Sequence, residues 1–125
     1  SSIIGVHPAI RITIKAISDA QVGMQQTFNG QQYTLVSNDQ LINMVNTGQD
    51  LTYIVTSRVT NMNDLFKEKS VIGDITSWDV SSVTDMAFMF KSCRKFNQHL
   101  GNWKICSNKT SNIRYMFEDC NAIYV

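Results

Sequence analysis

The chain has 125 residues, of which 43% are hydrophobic and 17% charged, and its formal net charge is +1. That is enough for one domain with a real core, and the near-neutral balance gives no global reason to expect a nucleic-acid partner. No apolar run approaches the roughly 18 residues of a membrane span. The three cysteines are odd in number and too few for a disulfide framework.

The first nine residues carry little pattern and are expected to form a flexible lead-in, residues 1–9. The start at Ser1-Ser2, without Met, fits a processed export signal or a cloning remnant. From Ile10, apolar Ile10, Ile12, Ile14 and Ala16 alternate with Arg11, Thr13 and Lys15, the period of a half-buried strand. Asn29-Gly30 suits a tight hairpin turn, because both central positions of such a turn need positive φ. Gln26 to Phe28 would lead in and Tyr33 to Val36 would lead out. A helix should follow: Ser37 and Gln40 form an S-x-x-Q capping box, Leu41, Met44 and Val45 form an apolar stripe, and Gly48 is placed to end it. Residues 10–48 therefore read as an N-terminal cap.

Residues 49–125 read as repeats. Gln49-Asp50-Leu51-Thr52 matches Gly73-Asp74-Ile75-Thr76 at a spacing of 24. In that register Leu51, Ile75 and Leu100 form one column, and Ile54, Trp78 and Trp103 another. The pairs Leu41-Ile42, Leu65-Phe66, Met89-Phe90 and Met116-Phe117 form a third, at spacings of 24, 24 and 27. Thr60, Thr84 and Ser111 precede the apolar pairs, where a hydroxyl would cap a short helix. Self-similarity at this period implies units that bury their apolar faces on one another. The expected fold is an α/β repeat: a short right-handed leucine-rich-repeat-like solenoid of about three and a half coils of 24–27 residues. Each coil would carry a strand and a short helix, and N-terminal β-strands would cap the array.

The phrases Val83-Thr84-Asp85-Met86 with Met89-Phe90, Phe96-Asn97-Gln98, and Ser77-Trp78-Asp79-Val80-Ser81-Ser82-Val83 resemble the repeat of BspA-like leucine-rich surface proteins. The same repeat is found in mycoplasma surface lipoproteins. Ser70-Val71-Ile72-Gly73 replaces the usual Phe-Asn phrase, Lys104 stands where Asp follows the tryptophan, and Ile113 stands where Met is usual. The resemblance implies a cell-surface or extracellular protein acting in adhesion or partner binding. It supplies no catalytic residues.

Residue chemistry leads the same way. Cys93 and Cys120 hold equivalent places in successive repeats and read as small core thiols, with a disulfide between them as the alternative. Cys106 sits in an inserted loop beside the sequon Asn108-Lys109-Thr110. A thiol enzyme would need Cys93 or Cys106 with His99, and no family signature supports that pair. No paired C-x-x-C spacing suggests a metal site, and no motif suggests a cofactor. Asp74, Asp79 and Asp85 recur where turns are expected. The Met and Phe columns read as core. The tryptophans are expected to be buried as well, and turned outward they would make a sugar- or protein-binding platform.

One feature favours function. From Met86 to Phe117 there is no acidic residue, yet Lys91, Arg94, Lys95, Lys104, Lys109 and Arg114 are all present. The reading is a non-catalytic binding module for a protein or glycan, with this basic face attracting an anionic partner and no nucleic acid. A structural subunit of a larger assembly, such as a surface layer or virion, self-associating through a bare coil end, is the alternative. A thiol enzyme comes third.

Overall fold

The computed structural model describes the backbone of residues 4–7, and residues 13–69, 72–103, 105 and 112–120 in full. Strand β1 (Ile4–His7) lies within the expected lead-in and pairs antiparallel with β2 (Thr13–Ala16). Strand β3 (Gln25–Phe28) pairs antiparallel with β4 (Gln31–Leu35), with Phe28 opposite Gln31. The expected turn joins them: Asn29 has φ 50° and Gly30 φ 78°, as a type I′ connection requires. The short strand β5 (Ile54–Val55) adds to β4 in parallel, giving a mixed sheet in the order β3-β4-β5.

Helix α1 (Asn38–Asn46) starts and stops as its sequence predicts. The Ser37 hydroxyl accepts the Gln40 amide at 3.2 Å, and the Gln40 side chain accepts the Ser37 amide at 2.9 Å. At the far end Gly48, with φ 69°, lets its own amide reach the Val45 carbonyl and the Gln49 amide reach that of Met44, the bonding of a Schellman C-cap. Leu41 and Val45 are buried.

The solenoid expectation fails here. Among the described residues there is one α-helix, a three-stranded mixed sheet, a two-stranded sheet and a single 3-10 turn (Gly101–Trp103), and no strand–helix unit recurs. The apolar pairs after α1 lie in turn segments, 61–69, 85–93 and 112–120. Each segment contains two left-handed residues four apart: Asp64 and Glu68, Phe88 and Ser92, Tyr115 and Asp119. Left-handed positions cannot continue an α-helix. The i, i+3 apolar spacing instead serves turns closed by bonds such as Leu65 to Met62, Met89 to Met86 and Met116 to Ile113. Nor are Thr60 and Thr84 the caps. One residue on, Asn61, Asp85 and Asn112 each accept the amide two residues ahead, at 2.9, 2.9 and 3.2 Å. Ser111 lies outside the described residues.

The segments are joined by alternate amides. Met62, Asp64, Phe66 and Glu68 donate to the carbonyls of Asp85, Ala87, Met89 and Lys91. Met86, Phe88, Phe90 and Ser92 donate in turn to Asn112, Arg114, Met116 and Glu118. Side chains follow the same register. Phe66 stacks on Phe90 at 5.7 Å, and Phe90 on Phe117 at 5.3 Å. Trp78 and Trp103 are buried, with ring planes 3° apart and centroids 6.2 Å apart. Each indole N–H donates 3.1 Å back to a carbonyl, Trp78 to Leu51 and Trp103 to Ile75. The tryptophan column is thus core, as expected, and offers no outward platform.

The N-terminal strands are fastened to this stack. The Ile14 amide donates to the Ser77 carbonyl at 2.8 Å. The Ala16 amide donates to the Ser57 hydroxyl, which donates to the buried Asp79 carboxylate, both at 2.7 Å. Arg58 Nη2 reaches the carbonyls of Ile17, Ser18 and Ala20 at 3.0 to 3.2 Å. Replacing Trp78 with Ala removes a buried ring and its bond to Leu51 together. We expect Trp78→Ala to lower unfolding free energy by about 3–5 kcal/mol in urea titration. A change under about 1 kcal/mol would contradict the packing described.

Candidate functional site

Two of the six basic residues singled out by sequence, Lys91 and Arg114, are on the segments 85–93 and 112–120, and two more, Arg94 and Lys95, directly follow 85–93; Lys104 and Lys109 lie outside the described residues, as does Cys106. The basic stretch is compensated from the next segment. Lys91 Nζ lies 3.1 Å from Glu118 Oε1, and Arg94 Nη2 lies 2.8 Å from Asp119 Oδ2. Arg94 and the Ser92 hydroxyl, 3.0 Å away, hold the Asp119 carboxyl below its ordinary range. Both pairs are at least partly solvated, so they set charge and register more than stability. No helix precedes Lys91, Arg94 and Lys95, so a helix dipole does not explain them. Lys95 and Arg114 are exposed. Lys95 and Lys69 line a small cavity of about 160 Å³ with Ile72, Cys93, Phe96, Asn97 and Gln98.

The structure adds two aromatic residues that the sequence reading passed over. Phe88 and Tyr115 hold equivalent places in successive segments, with ring centroids 5.4 Å apart. Both are left-handed, with φ 57° and 53°. A bulky side chain there is uncommon, at a backbone cost of roughly 1–2 kcal/mol. Neither ring is core: Phe88 is half-buried and Tyr115 is 56% exposed, beside Ile113 at 44%. Lys91 Nζ stands 5.5 Å from the Phe88 ring centre, within cation–π range. Arg114 flanks the pair in sequence. The result is a ridge of two rings outside the core, one exposed and one half-buried, with the Lys91 ammonium over the second. A sequence signal existed: the column's first member is Asp64, and a position that accepts Asp in one repeat is not a core position.

The thiols lie inward. Cys93 is 1% exposed, and its Sγ donates to the Phe66 carbonyl at 2.8 Å. Cys120 Sγ donates to the Cys93 carbonyl at 2.9 Å. Both are free, so the alternative of a disulfide between them is not realised. Burial pushes the Cys93 thiol up to about 11, the reverse of what a nucleophile needs. His99 is exposed. The recurring aspartates are turn formers: Asp74, Asp79 and Asp85 each accept the amide two residues on, at 3.0, 3.0 and 2.9 Å. Among the described residues no group of three or more His, Cys, Asp or Glu is placed to hold a metal ion, and no helix is long and apolar enough to cross a membrane.

Fold and surface define a small protein of α-helix, mixed sheet and stacked turn segments. Its sequence over residues 22–124 matches the family described as Mycoplasma protein of unknown function, DUF285, and the chain belongs to that family. No curated protein and no solved structure matches it.

The raised Cys93 value has a sign. Between an unfolded value near 9.0 and a folded value near 11 the native state keeps a proton the unfolded state loses, so stability falls as pH rises through that window. Wild-type stability is expected to drop more steeply from pH 9 to 11 than that of Cys93→Ala, by denaturant midpoint. Parallel slopes for the two proteins would refute this.

Proposed function

We propose that the chain is a non-catalytic, surface-associated module that recognises a protein or glycan partner through the ridge of Phe88 and Tyr115, with Lys91, Ile113 and Arg114 at its border. The observation that carries the reading is the pairing of two bulky aromatics in left-handed backbone at the surface. Strain of this kind concentrates at binding and catalytic sites. Exposed aromatic faces beside cations suit both sugar rings and the anchors of protein interfaces. Placement at the cell surface or outside it draws support from the Mycoplasma family and from the likeness of Val83-Thr84-Asp85-Met86 and its companions to BspA-like surface repeats. The cations of the basic stretch contribute through Arg114 and Lys95, while Lys91 and Arg94 hold the segments in register with Glu118 and Asp119.

The test is an array of glycans and extracellular proteins, probed at low and physiological salt with the wild type and with Tyr115→Asn. Asparagine tolerates the left-handed backbone, so relief of about 1–2 kcal/mol of strain offsets the lost ring pair, worth about 0.5–1.5 kcal/mol. We expect the variant to keep its melting temperature and to bind at least about tenfold more weakly, the loss typical of an interface anchor. Equal binding by both proteins would dismiss the ridge. No binding by either, with sedimentation showing self-association, would favour a structural subunit of a larger assembly.

A further inference from the structure

One column of the turn segments is uneven. Cys93 and Cys120 hold the same place in the second and third segments, and each turns a small thiol back along the stack. Lys69 holds that place in the first segment, where its amide closes the turn on Phe66 as that of Cys93 does on Phe90. A small side chain meets the packing there, so the fold does not ask for a cation. Lys69 lines the cavity of about 160 Å³ together with Lys95, and no carboxylate is among the lining residues. Every Asp and Glu of the chain is among the described residues, and none is ion-paired with either lysine. Lys91 and Arg94, by contrast, are both answered by acids.

The rest of the lining decides what such a pair can hold. Phe96 is buried, and the Cys93 thiol, pushed up to about 11 by burial, brings no charge. The Gln98 side chain is already spent. It accepts the Ile75 amide at 2.9 Å and donates to the carbonyls of Ile72 and Gly73 at 3.2 and 2.8 Å. Asn97 is exposed, and its carboxamide has no hydrogen bond among the described residues. The ammoniums of Lys69 and Lys95 and the carboxamide of Asn97 are thus left to meet a ligand. An ammonium is a compact charge that only donates. The volume lies below the ~300–1,000 Å³ of sites for whole small molecules, so a single charged group fits. A carboxylate has too few oxygens to serve all of these groups, whereas a phosphate or sulfate has one for each and another by which it is attached.

We infer that Lys69, Lys95 and Asn97 form a site for a tetrahedral oxyanion, a phosphate or sulfate group. Lys69 and Ile72 are shared with a larger groove of about 470 Å³ beside the end of α1, where Leu51 and Phe66 lie with the polar Asn46, Gln49 and Asp50. The Thr52 amide, 2.9 Å from Asp50 Oδ1, holds that carboxyl below its ordinary range. An ionised Asp50 repels a second anion and accepts hydroxyls, so a sugar bearing one oxyanion suits the groove and a polyanion does not. Free phosphate and a sugar phosphate bring the same group to the lysines, and the test tells them apart. Neither cavity is lined by Phe88 or Tyr115, so the site goes beyond the ridge and does not rest on it.

The probes are inorganic phosphate, glucose 6-phosphate and glucose, titrated into the intact chain at fixed pH and ionic strength and followed by amide NMR. Both phosphates should shift the signals of Lys69, Lys95 and Asn97 saturably, and glucose should not. Lys69→Gln with Lys95→Gln should bind at least about tenfold more weakly, the loss that charged hydrogen bonds carry. Lys15→Gln with Lys67→Gln removes the same charge from exposed lysines that do not line the cavity, and should titrate as the wild type does. Tighter binding of glucose 6-phosphate than of phosphate places the sugar in the groove, and equal binding makes the free anion the ligand. The site is overturned if neither phosphate gives a saturable shift, or if the shifts are as large at Lys91, Arg94 and Arg114. It is equally overturned if the two double variants weaken binding alike, or if glucose matches glucose 6-phosphate. The ridge is tested by Tyr115→Asn on the array and this site by phosphate on the lysine variants, so the failure of either leaves the other standing.

Discussion

Alternate backbone amides aimed outward from left-handed turns hold the second half of this molecule together. Without the positive φ at Asp64 and Glu68, the chain from Asn61 to Lys69 would close its amides on itself as a helix does, as α1 shows one repeat earlier. With them, half of the amides close the local turn and half leave it. Every other contact in the stack depends on that division. It fixes the register in which Phe66, Phe90 and Phe117 lie over one another, and it carries the tryptophans into parallel overlap. The polar tips obey the same rule, since Trp78, Trp103, Cys93 and Cys120 each give a hydrogen to a carbonyl about one repeat earlier in the chain. Side chains that would otherwise leave buried donors unpaired thereby add to specificity.

Much of the first half was legible because its signals are local. The Asn29-Gly30 turn, the Ser37 and Gln40 box and Gly48 each act over a few residues and have few competing readings. The burial of the tryptophan column was legible too, since equal side chains at equal spacing have the best reason to stack. The turn segments were misread because their apolar spacing is shared with helices: Met62 with Leu65 and Phe66, or Met86 with Met89 and Phe90, would line a helix face equally well. What excludes a helix is positive φ at Asp, Glu, Phe, Ser and Tyr, and none of these residues announces it as glycine would. The basic stretch was half legible. Its cations are plain in sequence, but their partners Glu118 and Asp119 become neighbours only through the 27-residue and 25-residue offsets of the stack. The ridge was missed because Phe88 and Tyr115 sit beside core methionines and resemble them in type.

The surface reading and the strain belong together. An aromatic outside the core held at positive φ costs backbone energy, yet here it occurs twice, half-buried at Phe88 and exposed at Tyr115, in adjoining segments and in contact. The first segment has Asp64 at that place, so the backbone does not require a ring there. Ring and strain are separable, and their coincidence is what marks the ridge.

The junction between the second and third segments has a consequence for how such a chain tolerates change in length. The bridge from Asn61 to Asp85 spans 24 residues and that from Asp85 to Asn112 spans 27, yet the bonding within and between the segments is the same on both sides. The three additional residues are absorbed wholly in the connection. A single residue inserted inside a turn segment would move every later amide off its carbonyl, whereas one placed in a connection away from the stacked Trp78 and Trp103 leaves the amide register of the segments intact. Loss or gain of an entire segment would likewise require only one new junction, because each presents the same donors forward and the same acceptors back. The modular unit of this molecule is therefore the turn segment, and its connections are the places where length can drift.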